Sequence, residues 1–596
     1  MTATIPCPAA SAATSRDARR TLALVLAAAT LTLAVGYAPV PLWDEDEPRF
    51  AVIARTMAET GDWIVPRYNG TLAVDKPVLM HWCMAAAMTI FGPTEFAARV
   101  PSMLAALATA LVLFRAGCRW FDQTTGAFGA LAFVGCLLVG IESHAATPDA
   151  ILVALTAWAT VLAAEVILDG RTPPAGSLPR LSIGRAAGVG LLLGIAVVCK
   201  GPIGFVGPLA VLVPWAWWVA LERRLSTAAL GPRGRRIVQA SLPAAVDAVR
   251  SLRPTVLTLA MLAAAAPWYV AVTIRTDGEW LRGFLLVHNV GRFMAPMERH
   301  GGGVLFHPLT MLVGFYPWSC FLPLALVVAA WRVVRRTVPT RAAHVLGLLL
   351  AWLVVWVGGF SAAATKLPNY VLPAYPAAAL LVAAIAVAAT RAPAWPHPRW
   401  LTAGLASLAL GGIATAATIV VASRFGLVGA EPAALVGLVP LFGAAVCWRV
   451  ARDRPRAALA AFAATALIYT GLACGPTAAW LARANRLPAL VTDLAHDSSA
   501  DIATYGIGSP NVVFYAGGRT VPVPEGRAAE AAAFLTSRPG SVLLVPEGRL
   551  ASIRAVLPED ANEVARTRPL FRTEDIVAIG VPPSASRSAR RHDVTR

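Results

Sequence analysis

Apolar runs of about twenty residues recur along this chain from residue 21 to about residue 475. A helix needs ~20 apolar residues to cross ~30 Å of hydrocarbon, and the core helices of soluble domains do not repeat at that length. Spans are read at 21–41, 98–117, 124–142, 148–168, 184–199, 202–221, 255–274, 308–331, 344–363, 369–390, 400–422, 432–448 and 457–475, thirteen in all. The composition agrees, with 57% hydrophobic and 14% charged residues where a soluble domain has about a quarter charged. An all-α polytopic membrane protein is therefore expected.

The net charge of +18 does not mark a nucleic-acid binder, because the arginines sit in short loops between apolar runs. With residues 1–20 placed as a cytoplasmic tail, the arginine-rich loops all fall on the cytoplasmic side, as the positive-inside rule requires. That sorting depends on one stretch. Pro77 to Gly92 is about fifteen residues and reaches only ~22 Å as a helix, so it is read as lying on the membrane surface. The first outer loop then covers 42–97. Seven of the eight cysteines, Cys83 to Cys474, lie in or beside apolar runs and no CxxC occurs. They read as small packing residues.

The opposite face collects ionisable residues at helix ends, which are costly near a bilayer and mark function by default. Only three of the 51 basic Lys and Arg side chains are lysine. Lys76, Lys200 and Lys366 all fall at turns on this face, in Asp-Lys-Pro, Lys-Gly-Pro and Lys-Leu-Pro contexts. Arginine would serve topology equally well, so a compact ammonium is wanted there. Three such groups suggest a phosphate or pyrophosphate ligand. The acidic run Asp44-Glu45-Asp46-Glu47 precedes a helical pattern opened by Pro48. Three roles stand for it: capping that helix, binding a metal, or taking a proton from an acceptor hydroxyl.

Seven stretches in order carry a resemblance: "DEPRFAVIARTMAETGDWIVPRYNG", "VDKPVLMHW", "FGPTEFAARVPS", "TPDAILVALTAW", "CKGPIGF", "HNVGRF" and "FSAAATKLPNYVLPAYPA". The chain resembles the bacterial aminoarabinose (lipid A) transferases and their relatives. These are GT-C membrane glycosyltransferases, a class that includes the dolichyl-phosphate-mannose protein mannosyltransferases. The resemblance implies a GT-C bundle of about thirteen helices over 21–475, an outer α/β domain over 476–581, and a polyprenyl-phosphate-linked sugar as donor. It implies an inverting transfer to a lipid or protein acceptor, in the inner membrane with the site facing the periplasm. By motif, Asp46 and Asp149 take catalytic roles, and Arg49, Lys76 and Lys200 hold the donor phosphate. Lys366 and Tyr370 shape the substrate pocket, and Asp75 with His288 implies a divalent metal ion. Phe50 replaces the family's tyrosine, Asp75 a glutamate, and Thr365 precedes a single lysine.

The segment 476–581 changes character. "DIATYGI", "NVVFYAG", "SVLLVPE" and "DIVAIGV" read as strands, and "RAAEAAAFLTSR" and "GRLASIRAVL" as helices. Residues 582–596, rich in Ser and Arg, read as disordered. A transporter or flippase for a lipid-linked anion is the rival from another class. It predicts an internal repeat and charges at the bilayer midplane, and no repeat is visible.

Overall fold

The computed structural model describes residues 15–581 apart from 36, 38–39, 44–45, 170–176, 228–232, 296–300, 393–397, 428, 498–500, 519, 539 and 570–573. Asp44, Glu45, the stretch 1–14 and the 582–596 tail thus lie outside the described residues.

Among the described residues ten helices are long and apolar enough to cross a membrane. An eleventh span is the pair Gln123–Val134 and Leu137–Ser143, bent by 66°. The two remaining expected spans look different. The first helix runs Ser15–Ala34 and carries Arg16, Asp17, Arg19 and Arg20 in its opening turns. The stretch expected at 308–331 is broken into Phe306–Gly314, a 3-10 turn at Trp318–Cys320, and Leu322–Arg335. Pro317 cannot donate to a helical ladder and ends the first piece. Pro368–Ala389 is the central post, with 94% of its apolar window buried; its alanines let neighbouring helices approach closely.

The loop 42–97 folds as its own layer on the bundle. Helix Asp46–Thr60 buries Phe50, Ile53, Ala54 and Met57, spaced for one helical face. They pack with Met80, Met84 and Met88 of helix Leu79–Phe91 and with Trp268, Trp280 and Phe284. Leu79–Phe91 has 13 residues, about 20 Å of rise, too short to span. Between the two helices β1 (Arg67–Tyr68) and β2 (Thr71–Leu72) pair antiparallel. Their turn residues Asn69 and Gly70 both have positive φ, 46° and 86°, as a tight two-residue hairpin requires.

The C-terminal sheet comprises β3 (Ile502–Tyr505), β4 (Val521–Val523), β5 (Val542–Pro546), β6 (Asn562–Thr567) and β7 (Ile576–Gly580), in the order β4-β3-β5-β7-β6. β3 runs parallel to β4 and β5, and β7 is antiparallel to β5 and β6. Alternate residues serve two cores: Leu543, Val545, Val577 and Ile579 on one face, Val542, Leu544, Ile576 and Ala578 on the other. This is the pattern of a sheet covered on both sides. One expected strand is a helix. "NVVFYAG" forms Pro510–Tyr515 with proline in its first turn, a position that suits proline, and Val513 and Phe514 bury against the first loop.

Candidate active site

Two antiparallel spans bring the first pair together. Asp149 opens the helix Asp149–Leu168 and Lys200 closes the helix Ile183–Lys200. Each charge complements its helix dipole. The Lys200 ammonium bonds Asp149 Oδ1, and Asn369 Nδ2 donates to Asp149 Oδ2 at 3.2 Å. Lys200 also lies 5.4 Å from the centre of the Tyr370 ring, a cation–π distance. Gly201 makes this helix end possible: its φ is +75°, and a Cβ there would lie 2.5 Å from Phe284 Cζ.

The first loop supplies the second group. Arg49 Nη2 donates to Asp75 Oδ1 at 3.3 Å, with its guanidinium 5.4 Å from the Tyr68 ring centre. Burial pushes the Asp75 carboxyl up, but Lys76, Arg49 and His81 outweigh it and hold it below the ordinary carboxylate range. Burial pushes the Lys76 ammonium down; Asp75 and Asp46 oppose that, while Arg292 and Lys200 add to it, and the net shift is downward. The same interactions show that Lys76, Lys200, Arg292, Asp75 and Asp46 share one field. Asp46 is exposed in the first turn of its helix.

Of the residues expected at the site, the structure therefore gathers Asp46, Arg49, Asp75, Lys76, Lys200, Asp149 and Tyr370. Lys366 is tied to the backbone: its buried ammonium donates to Phe360 O at 3.2 Å and Ser361 O at 2.6 Å, capping the helix Thr340–Ala362. His288 lies half-buried on the π-helical segment Gly283–Gly291. That segment packs on Val74, beside Asp75.

Three further groups complete the surroundings. Arg292 donates to the Tyr370 hydroxyl at 3.3 Å and adds a fourth cation; the "HNVGRF" stretch already contained it. Buried Glu142 accepts from Thr147 Oγ1 at 2.8 Å, close enough to feel Asp149 and Lys200. Glu47 is structural. It accepts from Arg99 Nη2 at 2.8 Å, Trp43 N at 2.6 Å and Ala146 N at 2.6 Å. Arg99, in "FGPTEFAARVPS", also donates to Val40 O and Pro41 O.

Asp75 and His288, the ligands implied for a divalent metal, gain no third side chain of ligand type among the described residues. Asp75 already accepts from Arg49 and lies in a field led by Lys76, so no step is routed through an ion.

The far face of the bundle is an arginine girdle. Arg115, Arg119 and Arg185 all reach the buried Glu165. Arg341 donates to the carbonyls of Arg119 and Trp120, and Arg391 pairs with Asp122.

The profile of the dolichyl-phosphate-mannose-protein mannosyltransferase family matches residues 75–230. The undecaprenyl phosphate-alpha-4-amino-4-deoxy-L-arabinose arabinosyl transferase of Aeromonas hydrophila is 30% identical over 57% of this chain and 55% of its own length. That of Erwinia tasmaniensis is 29% identical over 65% of this chain and 62% of its own length. The chain thus spans less than two thirds of these relatives. ArnT from Cupriavidus metallidurans bound to undecaprenyl phosphate superposes with a TM-score of 0.67 at 21% identity, covering 95% of this chain and 98% of that one. The chain is therefore similar in sequence to the aminoarabinose transferases and, over 75–230, to the protein mannosyltransferases, and it has the fold of ArnT from Cupriavidus metallidurans.

Proposed function

We propose that this multi-pass membrane protein transfers a sugar from a polyprenyl phosphate of the undecaprenyl type to a cell-envelope acceptor, lipid A or another glycolipid. The carrying observation is the cation cluster Lys76, Lys200, Arg292 and Arg49, set at helix ends beside Asp46 and Asp149. It suits a phosphate whose lipid tail stays in the bilayer and whose sugar faces out. As the acceptor oxygen attacks the anomeric carbon, the bond from that carbon to the phosphate oxygen breaks and negative charge grows on the phosphate. Preorganised cations stabilise that growing charge more than the ground state. Asp46, exposed at the mouth, takes the acceptor proton when the acceptor is a hydroxyl; a phosphate acceptor needs no base. Asn369 and Tyr370 hold Asp149 and Lys200 in place.

The arginine girdle on the opposite face supports placing the site on the periplasmic side of the inner membrane. Protein glycosylation is the second reading, favoured by the mannosyltransferase match over 75–230. The test is transfer by purified protein in detergent, with labelled polyprenyl-phosphate sugars offered to a glycolipid extract or to a peptide library. Lipid labelling that Asp46→Asn and Lys200→Arg both lose supports the proposal. Peptide labelling selects the second reading. Translocation of the lipid without transfer overturns both.

A further inference from the structure

Arg49 reaches the cation cluster from the side of the first loop, and its hold there is slight. Nη2 donates to Asp75 Oδ1 at 3.3 Å, long for a bond between charged groups. Nε is buried without a partner among the described residues. The Tyr68 ring centre lies 5.4 Å from the guanidinium carbon, a cation–π distance. Where this ring stands therefore helps to decide where Arg49 points.

Tyr68 belongs to a hairpin too short to hold its own shape. β1 and β2 pair only at Arg67 with Leu72 and at Tyr68 with Thr71, and a lone two-stranded hairpin is marginal at best. Its base is closed by Ala73 N, which donates to Pro66 O at 3.0 Å, and Trp280 Nε1 donates to Ala73 O at 2.9 Å. Its tip is held by the C-terminal domain. Asn69 Nδ2 donates to Thr520 O at 3.1 Å, and Thr520 N donates to Asn69 Oδ1 at 3.2 Å. One side-chain amide thus satisfies both backbone groups of one residue. Asn69 has φ 46°, a left-handed conformation that asparagine visits with little strain.

The same domain also grips the helix that carries Arg49. Tyr515 accepts from Leu42 N and donates to Glu95 Oε1, both at 2.9 Å. Burial, with Glu95 beside it, pushes the Tyr515 phenol up, so it stays protonated and keeps donating. Val513 and Phe514 share a core with Phe50, the neighbour of Arg49 in sequence. The domain therefore bears on both sides of the Arg49–Tyr68 contact.

We propose that the C-terminal domain positions Arg49 for the donor phosphate, with Asn69 as the positioning residue that ties the Tyr68 hairpin to Thr520. This role rests on the reading of Arg49 as a phosphate-holding cation.

The test is the affinity of the full chain in detergent for undecaprenyl phosphate, in wild type, Asn69→Gly, Arg49→Gln and the double variant, with sugar transfer and melting temperature measured beside it. Glycine removes both bonds to Thr520 and keeps the left-handed turn without strain, so N69G folds as the parent does. The expected result is binding weakened about threefold or more in N69G, the scale of one cation–π contact. In the R49Q background N69G should cause no further loss, because a residue that acts through Arg49 has nothing to act on once Arg49 is gone. A merely structural loosening would weaken binding equally in both backgrounds, and that additive loss overturns the proposal. So does affinity unchanged in N69G, or a wild type that binds no undecaprenyl phosphate. Coupling between Asn69 and Arg49 in a protein that transfers no sugar refutes the transferase reading alone. Transfer by wild type with N69G binding unchanged refutes the positioning role alone.

Discussion

Lysine rarity was the most informative residue signal, and the structure brings two of the three lysines together. Lys76 and Lys200 meet in one field, while Lys366 caps a helix. Sequence alone cannot separate these uses, because both want an ammonium at a turn; only the direction of the side chain decides. Arg292 was hidden among 51 Lys and Arg residues and gained meaning only from its neighbours. The Lys76 environment gives a pH prediction. Its ammonium titrates below the ordinary 10.5, so phosphate binding is full below that lowered value and is lost as pH rises through it. The donor KM is expected to climb on the alkaline side earlier than an ordinary lysine allows, and Lys76→Arg, always charged, should remove that limb. A KM flat to high pH in wild type would contradict the assignment. His81 tests burial. It is 2% exposed with both ring nitrogens unpartnered among the described residues, and burial pushes its pKa down to about 4. An unsatisfied buried polar group costs about 1–3 kcal/mol. His81→Leu should therefore raise the melting temperature or leave it unchanged; a fall of several degrees would show that the ring is bonded.

At the scale of elements, periodicity and length located ten spans and the short surface helix, because both signals are local. Breaks were harder to see. The 308–331 run is apolar throughout and still divides near Pro317, and "NVVFYAG" has the composition of a strand but takes a helical turn from Pro510. The ladder of β6 at Asn562–Thr567 was invisible because four of its six residues are exposed and its pairing is non-local. Two elements carry predictions. Gly201→Ala forces a side chain into a left-handed conformation, about 1–3 kcal/mol, and pushes on Phe284. It should lower the melting temperature and raise the donor KM together, since Lys200 ends that helix; loss of stability with an unchanged KM would detach the helix end from the site. Arg99→Met leaves Glu47 buried without its partner, a loss of about 3–5 kcal/mol, measured by thermal unfolding in detergent. The double variant with Glu47→Gln should recover part of it, and no recovery would mean that the pair is not what holds the loop to the bundle.

Across the whole molecule, charge divides the protein into an arginine-tied face and an opposite face of mixed charges at helix ends. That division was legible because the positive-inside rule acts on loop composition. The contact between the C-terminal domain and the first loop was not, since Asn69 and Thr520 are 451 residues apart. The metal implied by resemblance finds no ligand set among the described residues, so transfer is expected to persist after exhaustive EDTA treatment; loss restored by a divalent salt would contradict this. The central claim is that the cluster of Lys76, Lys200, Arg292 and Arg49 holds the phosphate of a lipid-linked donor. Its most direct test is the affinity of the purified protein for undecaprenyl phosphate, in wild type and in Lys76→Met and Lys200→Met. The account predicts saturable binding weakened tenfold or more by each substitution, about 1.4 kcal/mol or more. Equal affinity in all three proteins would contradict it.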